Sequence, residues 1–137
     1  MNCLITNVNV VLENEVIKGT VEINNGLITH VGQGASTLSC AIDGQDNWLL
    51  PGFIELHTDN MEKFFTPRPG VSWPSHSAMS SHDALLVSSG ITTALDAVSV
   101  GDFREGGHRL ENLMRIVNAI EDSEREELNR AAHYLHL

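Results

Sequence analysis

The chain has 137 residues, enough for one domain with a proper core, and 42% of them are hydrophobic. Its formal net charge of −10 excludes a general electrostatic surface for nucleic acid or anionic membranes. No segment approaches the length of a membrane-spanning helix, and the N-terminus lacks the features of a signal peptide, so we expect a cytoplasmic protein. Cys3 and Cys40 form neither a disulfide framework nor a Cys-x-x-Cys metal site.

The first 50 residues have the pattern of a small β module. Runs rich in Val, Ile and Leu occupy residues 4–12, 16–23 and 27–31. Asn25 and Gly26 join the last two runs, and Asn-Gly favours a tight hairpin because both turn positions need positive φ. We therefore predict a separate β module over residues 1–50.

Residues 51–137 have the pattern of alternating strands and helices. One strand is predicted over the nearly continuous apolar run at 48–56, a pattern typical of a strand covered on both faces. Further strands are predicted at 91–98 and 134–137. Helices are predicted from Ser80 or Ser81 to about Ser89, and from about Leu110 into the acidic run 121–127. Residues 60–76, with three of the four prolines, predict a long structured loop.

This order of elements predicts an α/β fold with a parallel sheet. A complete (β/α)₈ barrel needs roughly 250 residues. We therefore expect residues 51–137 to form the first βα units of an incomplete, TIM-like barrel, and we interpret the chain as truncated.

The segment from Glu55 to Asp59 carries the main candidate site. Alternate side chains of a strand share a face, so Glu55, His57 and Asp59 are expected to point the same way. An imidazole and a carboxylate at the carboxyl end of a barrel strand can hold a divalent cation. For an isolated His-x-Asp, a buried, hydrogen-bonded pair is the commoner explanation, because the motif alone is weak.

Residues 51–60, Pro-Gly-Phe-Ile-Glu-Leu-His-Thr-Asp-Asn, resemble the amidohydrolase superfamily. In that family the strand reads Pro-Gly-x-Ile-Asp-x-His-x-His, and both histidines bind the metal. The resemblance implies that His57 is the first ligand and that Asp59 replaces the second histidine. A carboxylate there leaves the divalent metal open among Zn, Mn, Fe and Mg.

Two further segments narrow the resemblance to the phosphonate-utilisation amidohydrolases of the carbon–phosphorus lyase pathway. They are Lys-Phe-Phe-Thr-Pro-Arg-Pro at 63–69 and Ser-Ala-Met-Ser-Ser-His-Asp-Ala-Leu at 77–85. The resemblance implies a hydrolase that acts within a triphosphate attached to ribose, releases pyrophosphate and leaves a 5-phosphate. The implied partner is a phosphorylated ribose phosphonate substrate.

The resemblance also suggests roles for other polar residues. Lys63 and Arg68 are candidates to contact phosphate oxygens, with two surface cations as the alternative. His82 is a candidate to bind the substrate as a phosphate donor, with a metal ligand or a purely structural role as the alternatives. Glu55 and Asp96 are candidates to support the metal ligands from behind, and a structural polar contact is equally open for Asp96. The general base is not visible in the sequence, and His133 and His136 are assigned no role.

Two other functions stay open at this point. The first is a different amidohydrolase that attacks a C–N bond with the same metal chemistry. The second is a non-catalytic, truncated scaffold that folds through oligomerisation. A metal site of this kind draws ligands from several strand ends, and only one or two such strands are present, so we expect the chain alone to be inactive. Open strand edges and uncovered apolar faces further predict that it forms a homo-oligomer.

Overall fold

A computed structural model describes residues 2–101 and 109–136 of this α/β protein. Contacts divide the chain into two units, Met1–Pro51 and Gly52–Leu137, each with its own sheet. No helix within the described residues is long and apolar enough to cross a membrane. In chain order the elements are β1 (Cys3–Val11), β2 (Val16–Asn24), β3 (Leu27–Gln33), β4 (Ile42–Asp43), β5 (Trp48–Leu49), β6 (Phe53–Thr58), α1 (Met61–Phe65), α2 (Ser75–Ser88), β7 (Ile91–Ala97), α3 (Arg109–Arg125) and β8 (Ala132–His136).

The sheet of the first unit is built around an antiparallel meander in the order β3-β2-β1. Asn25 and Gly26 join β2 to β3 with φ angles of 52° and 80°, the positive values that the predicted hairpin requires. Strands β4 and β5 pair in parallel with β1. The core of this unit comes from alternate residues of β1 and β2: Val8, Val10, Ile17 and Val21.

The second unit contains a parallel sheet in the order β6-β7-β8. Parallel neighbours need a long crossover connection, and α1 and α2 lie between β6 and β7 in the chain, with α3 between β7 and β8. The helices pack together around an apolar core. Its buried residues are Met61, Phe65, Ala78, Met79, Val98, Ile116, Ala119 and Ile120.

The apolar run at 48–56 forms two strands, so the prediction of one strand was wrong. Trp48 and Leu49 pair with β1, whereas β6 starts at Phe53 and pairs with β7. Between them, Pro51 has no N–H to donate to a ladder. Strand β6 also lies at the edge of its sheet, and its Ile54 and Leu56 are exposed rather than covered. Because an open strand edge can pair with another chain, self-association stays a prediction for this protein.

Residues 60–76 contain more helix than the sequence predicted. Helix α1 is only five residues long, too short to show a helical period, yet its Met61 and Phe65 are buried. Tertiary packing therefore stabilises this helix, which the local sequence pattern does not predict. Helix α2 starts at Ser75, before the predicted Ser80 or Ser81, because the Ala78 N–H already donates to the Pro74 carbonyl at 3.0 Å.

Candidate functional site

His57 lies near the carboxyl end of β6, as the sequence predicts, and its side chain is exposed. The backbone N–H of His57 donates to the Glu55 carboxylate at 3.1 Å. Strand β6 ends at Thr58, so Asp59 follows the strand, and the alternation that predicted a shared face does not extend to it.

Asp59 and Lys63 form an exposed ion pair at the start of α1. The Lys63 Nζ lies 3.8 Å from the Asp59 carboxylate and donates to Asn60 Oδ1 at 2.8 Å. Both side chains are largely in solvent, so the pair contributes little to stability. Arg68 is also exposed, in the segment between α1 and α2, where its backbone bridges to Val71.

His136, to which we assigned no role from the sequence, contacts His57. The His57 and His136 rings are edge to face, with centroids 5.1 Å apart and planes at 87°. His136 is the last residue of β8 and pairs with Ala97 of the central strand β7. Finding this contact from sequence would require the register of β7 against β8, which no local motif encodes.

A buried network of polar residues joins β7 and β8 to α2. The Asp96 carboxylate accepts a hydrogen bond from His82 Nε2 at one oxygen and from His133 Nδ1 at the other, each at 2.7 Å. All three side chains are fully buried. The contact with α2 also shows that Asp96 faces the helices, so Asp96 and His133 tie this helix to the sheet.

Asp83, beside His82 on α2, extends the network to the chain entering β8. It accepts the backbone N–H groups of Arg130 and Ala131 at 3.1 and 2.9 Å and the Arg130 guanidinium at 2.8 Å. His133 Nε2 lies 3.3 Å from the same carboxylate. Asp83 is 1% exposed, and its hydrogen bonds supply the partners that a buried carboxylate needs.

The network shifts the pKa values of its members. Burial alone would raise the pKa of the Asp96 carboxyl, but the hydrogen bonds and charges of His133 and His82 outweigh it and lower that pKa. Burial likewise opposes the ionised form of Asp83, and the hydrogen bonds from Ala131, Arg130 and His133 hold its pKa below the usual value. For His133, burial lowers the pKa, but Asp96 and then Asp83 raise it above 6.5.

One group in this network could hold a metal ion. Donor atoms of His82, Asp96 and His133 all lie within 4.8 Å of one another. The donors that face one another are already joined by short hydrogen bonds, and these bonds account for the arrangement without an ion. Within the described residues, His82 Nδ1 is the buried side-chain atom that has no partner.

The sequence left the roles of His82 and Asp96 open, and the structure places both residues in the buried network. His82 has no exposed surface and packs against the Phe64 ring, with centroids 5.6 Å apart. That position favours its structural role over substrate binding. Asp96 likewise makes a structural polar contact, and the face it occupies is the one that packs on α2.

The comparison with curated proteins supports the resemblance stated from the motifs. No protein-family model matches the chain. Over 134 residues, 98% of the chain, it is 61% identical to the alpha-D-ribose 1-methylphosphonate 5-triphosphate diphosphatase of Escherichia coli (strain K12). The chain spans 35% of that protein's length. The predicted similarity to the phosphonate-utilisation enzymes is thus confirmed.

Solved structures show a similar fold at low sequence identity. An amidohydrolase matches with a TM-score of 0.62 and 17% identity, over 98% of this chain and 31% of its own. The N-acetyl-D-glucosamine-6-phosphate deacetylase of Mycobacterium smegmatis matches with 0.57 and 21%, over 98% and 32%. A D-hydantoinase matches with 0.56 and 20%, over 100% and 27%. These likenesses show a shared α/β fold, which this chain matches over 27–32% of the length of each of the three structures.

Proposed function

We propose that this chain is part of a metal-dependent hydrolase that converts α-D-ribose 1-methylphosphonate 5-triphosphate to the 5-phosphate and pyrophosphate. The observation that carries the proposal is the 61% identity to the Escherichia coli diphosphatase over nearly the whole chain. In this proposal, residues 1–50 are a β module, and residues 51–137 supply the first βα units of a (β/α)₈ barrel.

The exposed end of β6 fits a divalent cation. His57 offers an imidazole in solvent, and Asp59 offers a carboxylate directly after the strand. We propose these two as metal ligands, with Zn, Mn, Fe or Mg as the ion and Glu55 as a support for the His57 backbone. A bound divalent cation would lower the pKa of water and offset charge on the phosphoryl oxygens.

The other proposed contacts are cationic. Lys63 and Arg68 are exposed on the segment that follows β6, and both would bind phosphate oxygens of the triphosphate. Arg68 would do so through the planar fork of its guanidinium, which matches two oxygens at once. On binding phosphate, Lys63 would leave its ion pair with Asp59. The Asp59 carboxylate would then be available to the metal.

Replacing both His57 and Asp59 with alanine in the intact enzyme is expected to abolish most of its divalent-metal content, since both proposed ligands are lost. Metal per subunit is measured by elemental analysis after dialysis. The matched control is His76→Ala with Glu124→Ala, an exposed imidazole and carboxylate from the same unit. Equal metal content in the double variant and the parent would contradict the ligand assignment. A pyrophosphate-release assay on the triphosphate, run beside cyclic amides, tests the reaction itself.

Arg68→Ala is expected to raise the KM for the triphosphate roughly tenfold or more. A hydrogen bond to a charged group contributes about 1.5–3 kcal/mol, and each 1.4 kcal/mol is about tenfold in affinity. Arg68→Lys should recover only part of the loss, because it keeps the charge without the fork. Arg125→Ala, at an exposed arginine on α3, is the control. Unchanged kinetics with a lower melting temperature would assign Arg68 a structural role instead.

A further inference from the structure

We propose that His136 is a second imidazole ligand for the cation that His57 binds. The inference deepens the proposed function and rests on the metal site assigned there. It concerns a residue on a different strand, 79 positions along the chain, to which the sequence motifs gave no role.

Strand register places the two rings on one side of the sheet. Asp96 faces α2, so its neighbour Ala97 faces the opposite side. Parallel partners point the same way, and the partner of Ala97 is His136. On the other flank of β7, Thr58 is the buried partner of Asp96, which leaves His57 on the side of Ala97.

The small side chain of Ala97 lets the flanking rings meet above the central strand. A cation held by two imidazole nitrogens at about 2.1 Å, with a tetrahedral angle between them, places the ring centroids roughly 5 Å apart. The observed separation is 5.1 Å. The two rings are therefore already at the spacing that shared ligation needs.

The ring nitrogens of both residues are available. Among residues 2–101 and 109–136, no hydrogen bond or ion pair engages either imidazole. The exposed His57 ring gives a cation direct access from solvent, and His136 is half-buried beside it. His133, three residues earlier in β8, points to the opposite side and is occupied by Asp96 and Asp83.

Two imidazoles change which ion the site prefers. Imidazole suits Zn²⁺ and related transition metals, whereas carboxylate and water alone suit Mg²⁺. The pair therefore assigns a transition-metal ion of the Zn²⁺ class to this site, with Asp59 as an oxygen ligand beside it. We expect Zn²⁺ to bind more tightly than Mg²⁺ in the same protein.

The test is calorimetric titration of Zn²⁺ into the 137-residue chain and four single variants, with Co²⁺ absorption spectra as a second readout. His57→Ala and His136→Ala should each weaken Zn²⁺ binding roughly tenfold or more, since even the loss of an outer-shell partner of a ligand has an effect of about that size. The control His76→Ala removes an exposed imidazole elsewhere in the unit and should leave affinity within about twofold. His136→Phe keeps an edge-to-face ring without a nitrogen donor, so it should retain the fold by circular dichroism and still lose affinity.

The outcomes separate this inference from the proposed function. Loss of affinity in His57→Ala, with parental affinity in His136→Phe, would overturn the role of His136 and leave the His57 site standing. Parental affinity in both alanine variants would overturn both. Weakened Zn²⁺ binding in His136→Ala, together with parental binding in His136→Phe, would show that ring packing, and not ligation, explains the contact.

Discussion

Asp96→Ala is expected to lower the free energy of unfolding by about 3–5 kcal/mol, the usual cost of removing one partner of a buried ion pair. Asp96 is fully buried, and both of its carboxylate oxygens are engaged by histidines. Its loss leaves the His82 and His133 nitrogens that it paired without acceptors in a dry environment. Leaving buried donors unpaired incurs their full desolvation cost.

Urea unfolding of the parent and the variant measures this effect, provided that the slope of the transition is unchanged. Asp96→Asn keeps the shape and one carbonyl acceptor, so it should lose less stability than alanine. The control is Asp122→Ala, whose ion pair with Arg125 lies at the surface and contributes at most about 1 kcal/mol. A loss in Asp96→Ala no larger than in this control would show that the network does not stabilise the fold.

Stability is expected to be highest between about pH 4 and pH 6.5 and to fall on both sides. The pKa values of Asp83 and Asp96 are lowered from 3.8, so their contributions are present above 3.8 and are lost as the pH falls through the lowered pKa values. The pKa of His133 is raised from 6.5, so its contribution is complete below 6.5 and is lost as the pH rises through the raised pKa. The charged or titratable groups that face His133 are Asp96, Asp83 and His82, with Arg130 behind Asp83.

Urea midpoints from pH 3 to pH 9 trace both limbs of this profile. His133→Gln removes the ionisable ring, so the alkaline limb should flatten in this variant. The acid limb should shrink but persist, because His82 still lowers the pKa of Asp96, and Ala131 and Arg130 still lower that of Asp83. His30→Gln, at an exposed histidine of the first unit, should change neither limb. An alkaline limb of full size in His133→Gln would assign that limb to another group and contradict the linkage.

Local pattern predicts much of this fold. The Asn25-Gly26 hairpin, the strand at Ile91 and the long helix α3 follow from turn chemistry and from periodicity over many residues. The split of the run at 48–56 and the helix α1 do not. One apolar run can contain two strands that pair with different neighbours, here β1 and β7. A five-residue helix is too short to display a helical period. In both cases tertiary packing determines the structure.

The candidate site also contains residues that a local motif identifies and contacts that it does not. His57 and Asp59 lie in one short motif, and a resemblance can identify them there. The contacts of His133 with Asp96 and Asp83 join positions 37 and 50 residues apart. Those pairings depend on strand register and on how α2 packs, which a single sequence does not encode locally. The same limit hid the contact between His57 and His136.

The connections between strands also bear on the order of folding. In the first unit, β1, β2 and β3 follow one another through the short segments 12–15 and 25–26, so their pairing closes small loops. In the second, β6, β7 and β8 come together only across segments 59–90 and 98–131. Closing long loops costs chain entropy before any contact compensates for it. We therefore expect the hairpin sheet to assemble early. The parallel sheet, with its buried Asp96 and Asp83 network, is expected to form last and to be exposed to misassembly for longest.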